Sequence, residues 1–114
     1  MKLAVIGSRG IVVEELEKYI PQNAEEIVSG GAHGVDTCAA EYARSHGKQL
    51  TEFLPDYSRF GRGAPYKRNE EIVKYADEIL AFWDGKSKGT EYVIRYAKSK
   101  NKRVTVINMP LPKR

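Results

Sequence analysis

The sequence has little cysteine, little histidine and no long apolar run, and each shortage excludes a class of protein. A single cysteine, Cys38, cannot form an internal disulfide, so we expect a core residue in a reducing cytoplasm. The two histidines, His33 and His46, have no partners at metal-ligand spacing, and we expect no metal site. No apolar run is long enough to cross a bilayer, and no signal-peptide pattern is present. We therefore expect a cytoplasmic protein with no membrane partner.

Length and charge set further bounds. A chain of 114 residues can form one domain with its own core, and we assign residues 1–108 to that domain and 109–114 to a short tail. The formal charge of +4 favours anionic ligands. Much of that surplus lies in lysines of predicted surface helices, so charge alone does not indicate nucleic-acid binding.

Five apolar runs predict β-strands, and the segments between them predict four helices. The strands are predicted at residues 2–6, 26–29, 49–54, 78–83 and 103–107. The helices are predicted at residues 10–20, from 35 to about 46, from 65 onward and from 89 to about 101, with residues 55–64 irregular. This alternation is typical of a doubly wound α/β domain, a five-stranded parallel sheet with helices on both faces. The first strand is continuously apolar, which suits the centre of the sheet.

Three polar loops follow strands and should meet at one edge of this sheet. They are residues 7–9, 30–36 and 84–90. Right-handed crossovers bring the carboxyl ends of parallel strands to the same edge, where such sheets bind ligands. The loop at 30–36 places three glycines before a helix, which either exposes backbone N–H groups to a phosphate or only makes a tight turn.

Asn69 is a polar residue on an otherwise apolar helical face. It shares that face with Ile72, Val73 and Ala76, so it should point toward the sheet. An unpaired amide there is costly, and we expect it to bond either a loop backbone or a ligand. Arg68 would place a cation above the same crevice.

These residues carry a resemblance to a known family. The string Ser-Gly-Gly-Ala-His-Gly-Val-Asp at 29–36, followed by Arg68-Asn69 and Gly89-Thr90, resembles the SLOG superfamily of Rossmann-like domains. The run Gly-Arg-Gly-Ala-Pro-Tyr-Lys-Arg-Asn at 61–69 is most similar to the YspA-type branch. The DNA-processing protein DprA and the cytokinin-activating LOG phosphoribohydrolases are more distantly similar. The resemblance extends over residues 5–107.

The resemblance implies a nucleotide or nucleotide-derived ligand at the carboxyl edge of the sheet. Residues 7–9, 30–34 and 89–90 would form its phosphate and sugar walls. We assign no further cofactor, and we expect a homo-oligomer, a dimer or higher. The candidate binding residues are Gly7, Ser8, Arg9, Gly30, Gly31, Ala32, His33, Gly34, Asp36, Arg68, Asn69, Asp84, Gly89 and Thr90.

Two functions from different classes follow, and the sequence favours the first. The first is a module that senses or carries a nucleotide-derived ligand. The second is an N-glycosidic-bond hydrolase or transferase that uses Asp36, Asp84 or Glu91 as general acid or base. LOG enzymes carry a catalytic glutamate three residues after the threonine of their Gly-Thr motif. Val93 stands at the corresponding position after Thr90, so the enzymatic interpretation is the less favoured one.

A third interpretation is single-stranded DNA binding of the DprA type. Such binding needs aromatic rings for the bases and a basic groove for the backbone. Tyr57, Phe60 and Tyr66 could supply the rings, with Arg59 and Arg62 beside them. Loop aromatics more often pack their own loop against the domain, so we do not favour this interpretation.

Overall fold

A five-stranded sheet, in which every strand is parallel to its neighbours, organises the chain. In the computed structural model, which describes residues 1–31 and 34–109, the strand order is β3-β2-β1-β4-β5. The strands are β1 (Lys2–Gly7), β2 (Glu26–Ser29), β3 (Gln49–Glu52), β4 (Glu78–Trp83) and β5 (Arg103–Asn108). The predicted α/β class and the central place of the first strand are both confirmed.

Helices pack on both faces of this sheet. They are α1 (Val35–Ser45), α2 (Tyr57–Phe60), α3 (Ala64–Tyr75) and α4 (Lys88–Ser99). Successive side chains of a strand point to opposite faces, so β1 contributes Leu3 and Val5 to the core under α1. Its alternate residues, Ala4 and Ile6, belong to the core under α3 and α4. Burial on both faces explains why β1 reads as an unbroken apolar run.

Two of the helices begin as local sequence chemistry predicts. Pro65 lies in the first turn of α3, where its missing N–H costs nothing and its fixed φ suits the helix. Ser87 is the N-cap of α4, and its hydroxyl accepts a hydrogen bond from the Thr90 N–H.

The helix predicted at residues 10–20 is wrong. Between β1 and β2 the described chain contains one 3₁₀ turn, Leu16–Lys18, and otherwise irregular backbone. The segment begins at Gly10, whose φ of 90° is not helical, and continues with three β-branched residues that have low helix propensity. Its apolar side chains are nevertheless buried: Ile11, Val13, Leu16 and Ile20. The pattern therefore identified the buried residues but not their backbone conformation.

The irregular segment predicted at residues 55–64 is also wrong. It contains α2 and a 3₁₀ turn, Gly61–Gly63, which leads directly into α3. The Asp56 side chain caps α2 by accepting a hydrogen bond from the Arg59 N–H.

The last described residue, Met109, is attached to the sheet. Its N–H donates a 2.8 Å hydrogen bond to the carbonyl of Trp83. The rest of the predicted tail, residues 110–114, lies outside the described residues. Across the ranges 1–31 and 34–109, no helix is long and apolar enough to span a membrane.

Candidate functional site

The chain leaves β1 and β4 toward opposite faces of the sheet. After β1 it packs on the α1 face, where Tyr19 meets the Phe82 ring edge-on at 5.2 Å. After β4 it enters α4, on the other face. Because β1 and β4 are neighbours, their carboxyl ends form a topological switch point, where open α/β sheets bind ligands.

A cleft of about 510 Å³ lies at this switch point. Its volume is in the range of small-molecule sites in proteins, roughly 300–1,000 Å³. The cleft is lined by Ile6, Gly7, Arg9, Gly30, Asp36, Pro65, Arg68, Asn69, Ile72, Ser87, Gly89, Thr90 and Val93. Loops from both halves of the sheet therefore converge on one site.

The structure brings together eight of the fourteen residues that the sequence predicts for binding. These eight line the cleft: Gly7, Arg9, Gly30, Asp36, Arg68, Asn69, Gly89 and Thr90. Four others lie near its loops without lining it: Ser8, Gly31, Gly34 and Asp84. Two more, Ala32 and His33, lie outside the described residues.

Arg68 joins α3 to the ends of two strands. Its Nη1 donates hydrogen bonds to the carbonyl oxygens of Gly30 at 2.8 Å and Phe53 at 3.3 Å. Its Nε donates to Asn69 Oδ1 at 2.9 Å. Asn69 therefore supports the glycine loop through the side chain of Arg68. Together the two residues fix the glycine loop after β2.

Two glycines allow backbone and side chains to approach closely at the cleft. A Cβ at Gly7 would lie 2.3 Å from Cγ2 of Val35, so this glycine lets α1 pack against the end of β1. A Cβ at Gly30 would lie 2.5 Å from Arg68 Nη1 and 3.2 Å from Asp36 Oδ2. The missing side chain at Gly30 is therefore what admits Arg68 and Asp36 to the same place.

Two further glycines of the loop at residues 30–36 adopt backbone conformations with positive φ, which other residues rarely adopt. Gly31 has φ of +71°, and a Cβ there would lie 2.6 Å from Leu54 Cδ2. Gly34 has φ of +79°, and its Cβ would lie 2.9 Å from the Ile11 carbonyl oxygen. Substituting either glycine would strain the fold. The turn interpretation of the glycine motif thus accounts for these two positions.

The first turn of α1 brings a carboxylate to the cleft. Gly34 occupies the N-cap position and provides no side-chain hydrogen bond. Asp36 lies in the first turn of α1 and faces the cleft. Among the described residues it is the only carboxylate that lines the cleft.

A network of hydroxyl groups holds the start of α4 against the end of β1. Ser8 is buried, and its hydroxyl donates to Thr90 Oγ1 at 3.4 Å and accepts from the Asp84 N–H at 3.2 Å. Ser87 Oγ also donates to Thr90 Oγ1, at 3.3 Å. Ser8 thus holds Thr90 and the Asp84 backbone in place from the buried side of the cleft.

Asp84 shapes the loop between β4 and α4. Its Oδ1 accepts hydrogen bonds from the N–H groups of Ser87 at 2.7 Å and Lys86 at 2.8 Å. These two backbone donors, Ser87 first, hold the pKa of the Asp84 carboxyl below its ordinary value of 3.8. An ionised carboxylate with two backbone donors is a poor general acid.

The features open to a ligand are Arg9 and the N-terminus of α4. Arg9 is exposed and lines the cleft, and no hydrogen bond or ion pair joins it to another residue of ranges 1–31 and 34–109. A Cβ at Gly89 would meet no atom within 4 Å, so the backbone of the first turn of α4 borders open space. Helix N-termini and arginine are both suited to phosphate.

The other candidate acid lies away from the cleft. Glu91 does not line it, and its carboxylate approaches Arg95 at 3.9 Å on the exposed surface of α4. Val93, the residue at the LOG glutamate position, lines the cleft and is 3% exposed. The wall at that position is therefore apolar.

The sequence analysis missed five lining residues: Ile6, Pro65, Ile72, Ser87 and Val93. Ser87 has a recognisable signal, because a serine three residues before Thr90 is an N-cap pattern. The other four are apolar, and a cleft wall of this kind has the same pattern as a core. Only the tertiary structure separates the two.

The described residues offer little for a metal site or for single-stranded DNA binding. The described residues contain no group of three or more metal-ligating side chains. Of the loop aromatics, Phe60 is covered by Arg59 at 5.1 Å, and Tyr66 packs edge-on against Tyr92 at 5.1 Å. Tyr57 is 60% exposed. Tyr66 also keeps 46% of its surface exposed, so Tyr57 and Tyr66 offer partly open rings while the Phe60 ring is covered.

The parallel sheet, with a cleft at its switch point, defines a Rossmann-like α/β domain. A model of the YAcAr family, described as the YspA, cpYpsA-related SLOG family, matches residues 3–60. That match covers just over half of the chain, and the chain belongs to this family. The predicted resemblance to the YspA-type branch is thereby confirmed. No curated protein and no solved structure matches significantly.

Proposed function

We propose that the protein binds a nucleotide or nucleotide-derived molecule in the switch-point cleft, as a sensing or carrier module. Membership of a SLOG family is consistent with a nucleotide-related ligand. The observation that carries the proposal is the pairing, in one cleft, of Arg9, which no described residue engages, with the open first turn of α4 at Gly89. Both are suited to a phosphate group.

The remaining walls fit the other parts of a nucleotide. Ile72, Val93 and Pro65 provide apolar surface against which a base can lie. Asp36 provides a carboxylate, which can accept hydrogen bonds from sugar hydroxyls. Arg68 is already bonded to two backbone carbonyls, so we assign it mainly to holding the loop.

We favour binding without cleavage of the glycosidic bond. Cleavage needs a carboxylate at the developing oxocarbenium ion or an acid at the leaving base. Val93 supplies neither, Asp84 is held by two backbone N–H groups, and Glu91 lies outside the cleft. Asp36 is the remaining candidate, which makes it the residue to test.

Calorimetry with AMP, ADP, ribose 5-phosphate and adenosine tests the proposal. We expect the phosphorylated probes to bind and adenosine to bind more weakly. The variant R9A should bind AMP roughly ten- to a hundredfold more weakly, since a hydrogen bond to a charged group contributes about 1.5–3 kcal/mol. Gly89→Leu should obstruct the helix N-terminus without backbone strain.

Arg44→Ala is the matched control, because Arg44 is an exposed arginine in the last turn of α1, away from the cleft. It should bind AMP as the parent protein does. Unchanged AMP affinity in both R9A and Gly89→Leu would refute the proposed site.

Chromatography after long incubation with AMP separates binding from catalysis. We expect no free adenine. Adenine release that disappears in Asp36→Asn, Asp84→Asn or Glu91→Gln, with AMP binding retained, would establish a hydrolase instead.

A further inference from the structure

β5 is an edge strand whose outer side no other described strand pairs with. Within the described residues it pairs only with β4, over the six residues from Arg103 to Asn108. It contains no proline, and its one charged residue is at its start. The opposite edge, β3, has only four residues and ends in the exposed Glu52. Short length and charge protect sheet edges from pairing, so β5 is the less protected of the two.

The two faces of β5 differ in character. Val104 packs against the core under α4, and Val106 follows on the same face with 38% of its surface exposed. Ile107 packs against the core on the α1 face, which Arg103 and Thr105 share by alternation. One face of the edge therefore presents two β-branched apolar residues, and the other begins with a cation.

An acidic groove lies beside the far end of β5 on the α1 face. It has a volume of about 370 Å³ and is lined by Val12, Val13, Glu14, Glu15, Lys18, Tyr19 and Met109. Val12 is 66% exposed. Glu15 forms a 2.7 Å ion pair with Lys18, and no ion pair between described residues engages Glu14. Within the described part of the chain, the groove combines exposed apolar surface with a carboxylate that no ion pair engages.

We propose that two copies of this chain dimerise through β5, which pairs antiparallel with itself about a two-fold axis at Thr105. A two-fold axis perpendicular to the sheet keeps every residue on its own face. Because directly opposite residues of antiparallel strands also share a face, the axis must pass through a residue and not between two residues. Centring it on Thr105 sets Val104 opposite Val106 of the second copy, and the symmetric pair repeats this contact. Pairs of β-branched residues across strands stabilise a sheet.

This register also brings opposite charges together. Arg103 of each copy lies opposite Ile107 of the other, on the α1 face. Ile107 is followed on that face by Met109, which lines the acidic groove. Each Arg103 thus points toward Glu14 of the other copy. Centring on Val106 instead would set Val104 against Asn108 and Arg103 against Met109, so the apolar pairing of Val104 with Val106 selects the register centred on Thr105.

Disulfide trapping tests this register directly. In Thr105→Cys the two new thiols face each other across the axis, at a separation within disulfide range. We expect mild oxidation to give a covalent dimer of Thr105→Cys, but none of Val106→Cys or of the parent protein, whose only thiol is Cys38. A dimer whose Thr105→Cys variant does not cross-link would refute the β5 interface.

Light scattering coupled to size exclusion tests the charge complementarity. The parent protein should be dimeric at micromolar concentration, and Arg103→Glu should raise the dimer dissociation constant at least tenfold. Adding Glu14→Arg to Arg103→Glu should restore dimerisation, because it re-creates the opposite charges in reversed order. Circular dichroism checks that each variant is folded. A parent protein that stays monomeric, or a double variant without rescue, would overturn the proposal.

Discussion

Nη1 of Arg68 lies 2.8 Å from the carbonyl oxygen of Gly30. This hydrogen bond joins the second turn of α3 to the end of β2, although the two residues are 38 positions apart in the chain. It exists because Gly30 has no side chain, and because Asn69 holds the guanidinium in place through its Nε. The glycine loop after β2 is thus anchored by a residue of α3.

Gly30→Ala should destabilise the protein. The new Cβ would lie 2.5 Å from Arg68 Nη1, so the guanidinium must leave its carbonyl partner. Losing a hydrogen bond from a charged group costs about 1.5–3 kcal/mol, and urea denaturation measures the loss. Gly63→Ala is the control, because a Cβ there meets nothing within 4 Å and its φ is −80°. It should be neutral or slightly stabilising, and equal losses in both variants would contradict the packing argument.

Asp84→Asn should alter the acid side of the stability curve. Hydrogen bonds from Ser87 and Lys86 lower the pKa of the folded Asp84 carboxyl below its ordinary 3.8. A lowered folded pKa means that this stabilisation is present above the unfolded pKa and is lost as the pH falls through the folded value. The free energy of unfolding of the parent should therefore exceed that of Asp84→Asn at neutral pH, with the difference closing below pH 3.8. A difference that stays constant into strong acid would exclude a role for this carboxylate.

Tyr92→Phe should alter how the free energy of unfolding falls at alkaline pH. The Tyr92 hydroxyl donates to the Glu70 carboxylate, which, together with burial, raises the pKa of Tyr92 from 10.0 to about 12. Because the folded pKa is raised, this stabilisation is complete below pH 10.0 and is lost as the pH rises toward about 12. Urea denaturation across this range should show a smaller alkaline loss in Tyr92→Phe than in the parent. Tyr57→Phe is the control, since Tyr57 is 60% exposed, and it should follow the parent curve.

The backbone of the strands could be predicted well, and that of the connections less well. The predicted strands at residues 26–29 and 78–83 match β2 and β4 at both ends. Short apolar runs bounded by polar residues are typical of buried strands. The segment at 10–20 had the apolar spacing of a helix from Val13 to Ile20, yet it forms one 3₁₀ turn. The segment buries its apolar side chains against the sheet, so it needs no full helix to remove them from water.

The order and spacing of apolar residues in the sequence by themselves determined the fold class and the edge of the sheet at which a cleft could lie. Five apolar runs separated by helical spacings permit little other than a parallel sheet, and parallel strands must bring their following loops to one edge. Only the tertiary structure decided the role of each loop residue. Gly30 leaves room for the side chains of Arg68 and Asp36. Gly31 and Gly34 adopt positive φ, and Gly89 borders open space. These glycines are alike in sequence, because what distinguishes them is which atoms from distant segments stand where a side chain would be.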